Sequence, residues 1–88
     1  MMADKVLQVE IVSHEGRLWH GIGTSVQIPV VDGQLGILPG RQPMLAMLNA
    51  GTVLVTTKEG VQTFTVDSGF ASIDSDFVTV VADHGTIS

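Results

Sequence analysis

Three histidines, nine carboxylates and the run Ser13-His14-Glu15 are the side chains of this 88-residue sequence best equipped for chemistry, because it contains no cysteine. That absence removes a thiolate nucleophile, a thiolate zinc site and a disulfide staple, and it fits a reducing compartment. His14, His20 and His84 do not stand at the close spacings that put two ligands on one face of a helix or strand. Asp74 and Asp76 flank Ser75, and with Asp67 and Asp83 they could be arranged as a calcium cluster. The loop lacks the glycine and the distal glutamate of the known calcium loop, however, and aspartates are what tight turns use. Ser13-His14-Glu15 has the residue types of a nucleophile relay, but neighbours along a strand and turn project in different directions. Gly21-Ile22-Gly23 and Gly33-Gln34-Leu35-Gly36 lack the Lys, the Ser or Thr and the strand-to-helix setting of a phosphate loop. The residues therefore predict no catalytic, metal or nucleotide-binding site, no cofactor and no enzyme.

The elements that position these residues are strands. Val, Ile and Thr make up 27 of the 88 residues, and β-branched side chains suit a pleated sheet better than a helix. Leu7, Val9 and Ile11 alternate with Gln8 and Glu10, the signature of a strand with one wet face. After the turn His14-Glu15-Gly16, the residues Leu18, His20, Ile22, Thr24, Val26 and Ile28 share one parity. This reads as a second strand that Pro29 ends, with a bulge or bend at Gly21 and Gly23. Asp32-Gly33 is a tight turn, Leu35 to Leu38 a short strand and Pro39-Gly40 its close. Met44 to Leu48 is ambiguous between a helical turn and a short strand. Thr52 to Thr57, Lys58-Glu59-Gly60 and Val61 to Val66 form a hairpin. Phe70 to Ile73, Asp74-Ser75-Asp76 and Phe77 to Ala82 form another. Turns at this spacing favour a single all-β domain over residues 1–88, a sandwich or a barrel, with no helix longer than about two turns.

Charge and hydropathy limit the partners. Four basic residues against nine acidic ones leave −5 at pH 7, which repels phosphate backbones and argues against nucleic acid. Asp4, Lys5, Gln8 and Glu10 interrupt any apolar leader, and the uncharged stretch from Gln42 to Thr57 is shorter than the roughly 20 apolar residues a spanning helix needs. A mean hydropathy of +0.39 with only 15% charged residues is nevertheless high for a small domain, and it suggests that some apolar surface meets a partner.

The segment from Asp32 to Pro43, with its glycines, prolines, Arg41 and apolar pairs, is stiff, and stiff loops lose little ordering entropy on docking. It also resembles a known family. Gly36-Ile37-Leu38-Pro39-Gly40, together with Leu7 to Ser13 and Glu15, Leu18-Trp19-His20-Gly21, Asp32 to Leu35, Pro43, Gly69-Phe70 and Val78 to Asp83, is similar to the N-terminal domain of the epsilon subunit of F-type ATP synthases over nearly the whole chain. The resemblance implies a small two-sheet β-sandwich of about ten short strands. It further implies a non-catalytic rotor subunit seated between the gamma subunit and the ring of c subunits, coupling proton flow to ATP synthesis. Such a subunit is peripheral to the cytoplasmic face of a bacterial cell membrane. Ser13, Gly40 and Arg41 would then face gamma, and Val31, Asp32, Gly33 and Gln34 would face the ring.

The sequence departs from that family at three places. Arg41 stands where the family usually has His, Ser68-Gly69 replaces a usual Gly pair, and Gln34 replaces a common acid, which leaves Asp32 as the carboxylate of the ring-facing loop. The sequence ends at Ser88, where the family normally continues into a helical hairpin that carries inhibition of ATP hydrolysis and, in some members, ATP binding; the resemblance assigns neither to these residues. The rival reading is a free-standing β-sandwich that binds protein or carbohydrate, which calls for surface aromatics, yet there are only Trp19 and three Phe. A small hydrolase has the least support.

Overall fold

The computed structural model describes residues 5–88, so residues 1–4, including Asp4 of the leader reading, lie outside the described residues. Ten strands follow one another: β1 (Leu7–Ser13), β2 (Gly16–Gly23), β3 (Ser25–Val30), β4 (Gly33–Ile37), β5 (Arg41–Leu48), β6 (Gly51–Thr57), β7 (Gly60–Val66), β8 (Gly69–Ser75), β9 (Phe77–Ala82) and β10 (Gly85–Ile87), with no helix among the described residues. They form two five-stranded sheets, β2-β1-β9-β8-β5 and β10-β7-β6-β3-β4. We call these sheets A and B. Of the two expected architectures, the sandwich is the one formed.

Period-2 patterning explains the sandwich. Leu7, Val9 and Ile11 of β1, Val78, Val80 and Ala82 of β9, and Ala71 and Ile73 of β8 all point inward from sheet A. Val26 and Ile28 of β3, Val53 and Val55 of β6, and Phe64 and Val66 of β7 meet them from sheet B, and no polar side chain is buried among them. Trp19 covers the open side beneath β2, its ring 6.0 Å from that of Phe64 and tilted by 49°.

The expected single strand from Leu18 to Ile28 is instead two. β2 belongs to sheet A and β3 to sheet B, and the chain crosses between them at Thr24. The inward parity switches there: Trp19, Gly21 and Gly23 face in along β2, whereas Val26 and Ile28 face in along β3, so His20 and Ile22 turn outward. Gly21 faces in because the Trp19 indole lies over it; a Cβ there would stand 2.8 Å from the ring. The bulge falls at Leu18, between the pairs Ile11 with Trp19 and Val12 with Arg17. Pro29 does not end β3, which continues alongside β4 to Val30; pairing stops at Gln27 only on the β6 side. The ambiguous segment is strand β5, an edge strand whose Gln42 and Pro43 bulge between Arg41 and Met44, a position that tolerates proline.

All nine connections alternate between the two ends of the sandwich. Residues 14–15, 31–32, 49–50, 67–68 and 83–84 turn at one end, and residues 24, 38–40, 58–59 and 76 at the other. At the first end, Asp67-Ser68 and Asp83-His84 interlock. Asp67 Oδ1 accepts from the N–H of Ser68 and of His84, Asp67 Oδ2 lies 2.9 Å from His84 Nδ1, and the Ser68 hydroxyl donates to Asp83. Ser68 thus contributes a bond no glycine could. Gly69, at φ +143°, remains obligatory, because a Cβ would run into the Val81 carbonyl.

Candidate functional site

The residues expected to face a partner divide between the two ends. Ser13 closes β1 at the first end, where its hydroxyl is used within the turn: it accepts from the Glu15 N–H at 3.2 Å and donates to the Gly16 carbonyl at 3.3 Å. His14 takes no part in those side-chain bonds, so the Ser-His-Glu run builds a hairpin and no relay. Gly40 and Arg41 open β5 at the second end. Gly40 holds φ +85° and donates its N–H to Asp76 Oδ1 at 2.9 Å. The Arg41 guanidinium folds back, with Nη1 3.1 Å from the Gly36 carbonyl oxygen and Nε 3.3 Å from the Met44 sulfur. Val31, Asp32, Gly33 and Gln34 form the β3–β4 hairpin at the first end, with Gly33 at φ +127° supplying the conformation that lets the chain reverse. Val31 is 80% exposed at its tip.

Ser13 and Arg41 are therefore not neighbours, but both belong to sheet A. Between them lies a feature the sequence reading missed, the outer face of that sheet. Met47 of β5, Phe70 of β8, Val81 of β9 and Val12 of β1 pair successively across four strands and make a continuous apolar row that ends at Arg17. Leu45 stands beside it on β5 and Phe77 farther along β9. The exposure of Met47 (70%), Leu45 (66%), Phe77 (55%) and Phe70 (38%) is high for side chains of this size. The outer face of sheet B differs: Thr52, Thr65 and Thr86 pair in one row, and Gln27, Leu54 and Thr63 in the next. A sequence signal for the sheet A face existed, since Met44 to Leu48 is apolar on both parities. One parity, Met44, Ala46 and Leu48, packs on the core, and the other has nothing to pack on.

The polar candidates do not converge. Asp74 and Asp76 sit at one end of the sandwich and Asp67 and Asp83 at the other, so the four cannot share one ion, and no three metal-ligating side chains gather among the described residues. His20 is exposed on the outer face of sheet A beside Glu10, which pairs with Arg17 at 3.5 Å. A shallow depression of about 390 Å³ there is lined by Gln8, Glu10, Arg17, His20, Ile22 and Phe77 among others. It is a dent in a sheet surface without a nucleophile held against a base. The Asp67–His84 contact lowers the carboxyl below its ordinary value, chiefly through the His84 backbone N–H it accepts. It raises the imidazole, chiefly through the side-chain bond to Asp67. Both groups are in water, and their role is to tie two turns together.

The site has two ends and an apolar row on the outer face of sheet A, with no reactive cluster among the described residues; comparisons with known proteins give its family. A family model described as the ATP synthase Delta/Epsilon chain, beta-sandwich domain matches residues 6–86. The ATP synthase epsilon chain of Micrococcus luteus is 47% identical over 77 residues, covering 86% of this chain and 85% of that one. The epsilon chain of Rhodococcus jostii is 36% identical over 84 residues, covering 93% and 69%. Among solved structures, a chain of the Euglena gracilis mitochondrial ATP synthase (OSCP/F1/c-ring) superposes with a TM-score of 0.84 at 16% identity, covering 99% of this chain and 56% of that one. A chain of the Tetrahymena thermophila mitochondrial ATP synthase central stalk and c-ring gives 0.74 at 10% identity, covering 96% and 68%. At those identities the structures show the sandwich fold.

Proposed function

The chain belongs to the ATP synthase delta/epsilon family through its β-sandwich domain, and from that premise we propose that it is a central-stalk subunit that docks on gamma and on the c-ring and couples proton flow to ATP synthesis. It is a non-catalytic part of a membrane-associated complex. Its place is the cytoplasmic face of a bacterial membrane, peripheral and without insertion.

The observation that carries this reading is the bare apolar row on sheet A. A domain whose interior, among the described residues, is already filled by 17 buried apolar residues still leaves Leu45, Met47 and Phe70 in water beside Val81 and Val12, and a contiguous apolar patch of that kind is stabilised by covering it with a partner. A gamma subunit lying across the outer face of sheet A would reach Ser13 at one end and Gly40-Arg41 at the other, which gives these separated residues one partner. The Val31-Asp32-Gly33-Gln34 hairpin projects from the first end and is free to meet the basic or polar loops of a ring.

The test is reconstitution. Added to a synthase depleted of its epsilon chain, the protein should restore rotor assembly and proton-coupled ATP synthesis, and it should bind isolated gamma. Failure to bind gamma from the Micrococcus luteus synthase would refute the reading in favour of a free-standing interaction module.

A further inference from the structure

A sandwich of two open sheets has four edge strands, each with a row of backbone groups able to accept a strand from outside. Three edges carry an obstacle. β10 is three residues long, β5 is interrupted by Pro43 at a bulge, and β2 bulges at Leu18 and bears the paired Arg17. β4 has neither. Gly33-Gln34-Leu35-Gly36-Ile37 contains no charge and no proline, and no side chain lies over Gly36, where a Cβ would meet nothing within 4 Å.

The ladder fixes which groups look outward. The Asn49 N–H donates to the Pro29 carbonyl, so Pro29, and Gln27 two residues before it, point away from β4. Their partners across the ladder, Gln34 and Gly36, accordingly turn their backbone groups to the free edge. Arg41 meets one of them: its Nη1 donates to the Gly36 carbonyl at 3.1 Å while Nε rests on the Met44 sulfur, and the adjoining Gly40 is held by Asp76. We propose that Arg41 guards the β4 edge, occupying the Gly36 carbonyl so that no other strand can pair there, and that the edge, once unguarded, accepts the β4 edge of a second copy of this chain. A second copy suits the chemistry. In a chain of net charge −5 most surfaces repel their own image, but an uncharged strand can lie antiparallel to itself with no like charges opposed.

Sedimentation of the isolated chain from micromolar to millimolar concentration tests this in the absence of any other subunit, so the outcome is independent of the gamma reading. Arg41→Ala and, as a second variant with a side chain too short to reach Gly36, Arg41→Gln should dimerise with an affinity at least about tenfold above wild type. The Gly36 amide should exchange more slowly with deuterium in the dimer. Adding Gln34→Lys, which sets like charges against each other across the paired edge, should return either variant to the wild-type monomer. Monomeric behaviour of whichever variant folds, with Gly36 exchange as in wild type, would overturn the proposal. So would dimerisation that Gln34→Lys leaves unchanged.

Discussion

The two outer faces of the sandwich are built on the same pleat and cover the same core, yet they differ in what they present to water. Sheet B shows threonines in register, Thr52 with Thr65 and Thr86, and Thr63 beside Leu54. Sheet A shows Met47 against Phe70 and Phe70 against Val81. Threonine keeps the β-branched geometry a strand favours while its hydroxyl satisfies water. Sheet B sets Leu54 and Val61 singly among threonines, whereas sheet A lines up four apolar side chains across four strands, and that difference points to a covering surface on sheet A. On the proposed reading, folding and docking use opposite faces of sheet A, and substitutions should separate them.

The largest effect belongs to the inner side. Phe64 is fully buried and packs on Trp19. Phe64→Ala should cost about 3–5 kcal/mol of stability, read as a drop in the denaturant midpoint. Phe70→Ala, on the outer face, loses only its cross-strand contacts with Met47 and Val81 and should cost about 1 kcal/mol. Equal losses from both would break the distinction between the faces.

Next come the outer faces themselves. Met47→Asp should weaken gamma binding by about 2–4 kcal/mol, the range of an apolar anchor in a desolvated contact, while Thr63→Asp on sheet B should change it by less than about 0.5 kcal/mol. Titration calorimetry with isolated gamma gives both numbers. Arg41→Ala should cost gamma binding about 1–2 kcal/mol, toward the lower part of the range for a charge-assisted bond, because one arm of the guanidinium is already engaged by Gly36. Asp32→Asn should reduce ring attachment by less than about 1 kcal/mol and lose even that effect at high salt, since its carboxylate is exposed and screened.

The smallest effect distinguishes the two ends. His84 is raised above its ordinary 6.5, so its contribution is complete below 6.5 and fades as pH climbs through the raised value. Asp67 is lowered below its ordinary 3.8, so its contribution is present above 3.8 and fades as pH falls through the lowered value. The tie between the Asp67-Ser68 and Asp83-His84 turns is therefore complete between those two ordinary values. His84→Gln should lower the melting temperature slightly at pH 5.5 and not at pH 8.5. An NMR titration placing the His84 midpoint at or below 6.5 would contradict the tie.

How much of this was legible in the sequence follows from what each signal encodes. Strict alternation is local, so β1 and the β6–β7 and β8–β9 hairpins could be read directly. The crossing at Thr24 could not, because the inward parity changes within a run that keeps one apolar parity on paper. Only the sheet to which each half pairs reveals the change. β10 was too short to announce itself, and the Asp67–His84 tie joins residues 17 apart through space. The resemblance supplied the strand number and the expected partner residues. That Ser13 and Arg41 sit at opposite ends of one sheet is a fact of topology, and it shifts attention from those two residues to the row of apolar side chains between them.

The central claim, that the outer face of sheet A is the docking surface, is tested most directly by mapping amide chemical shifts of the isotopically labelled chain as unlabelled gamma is added. The amides of Val12, Leu45, Met47, Phe70 and Val81 should shift or broaden, while those of Thr52, Thr63 and Thr65 on sheet B stay unchanged. Perturbation centred on the sheet B threonines, with the Met47 to Val12 row unaffected, would contradict the account.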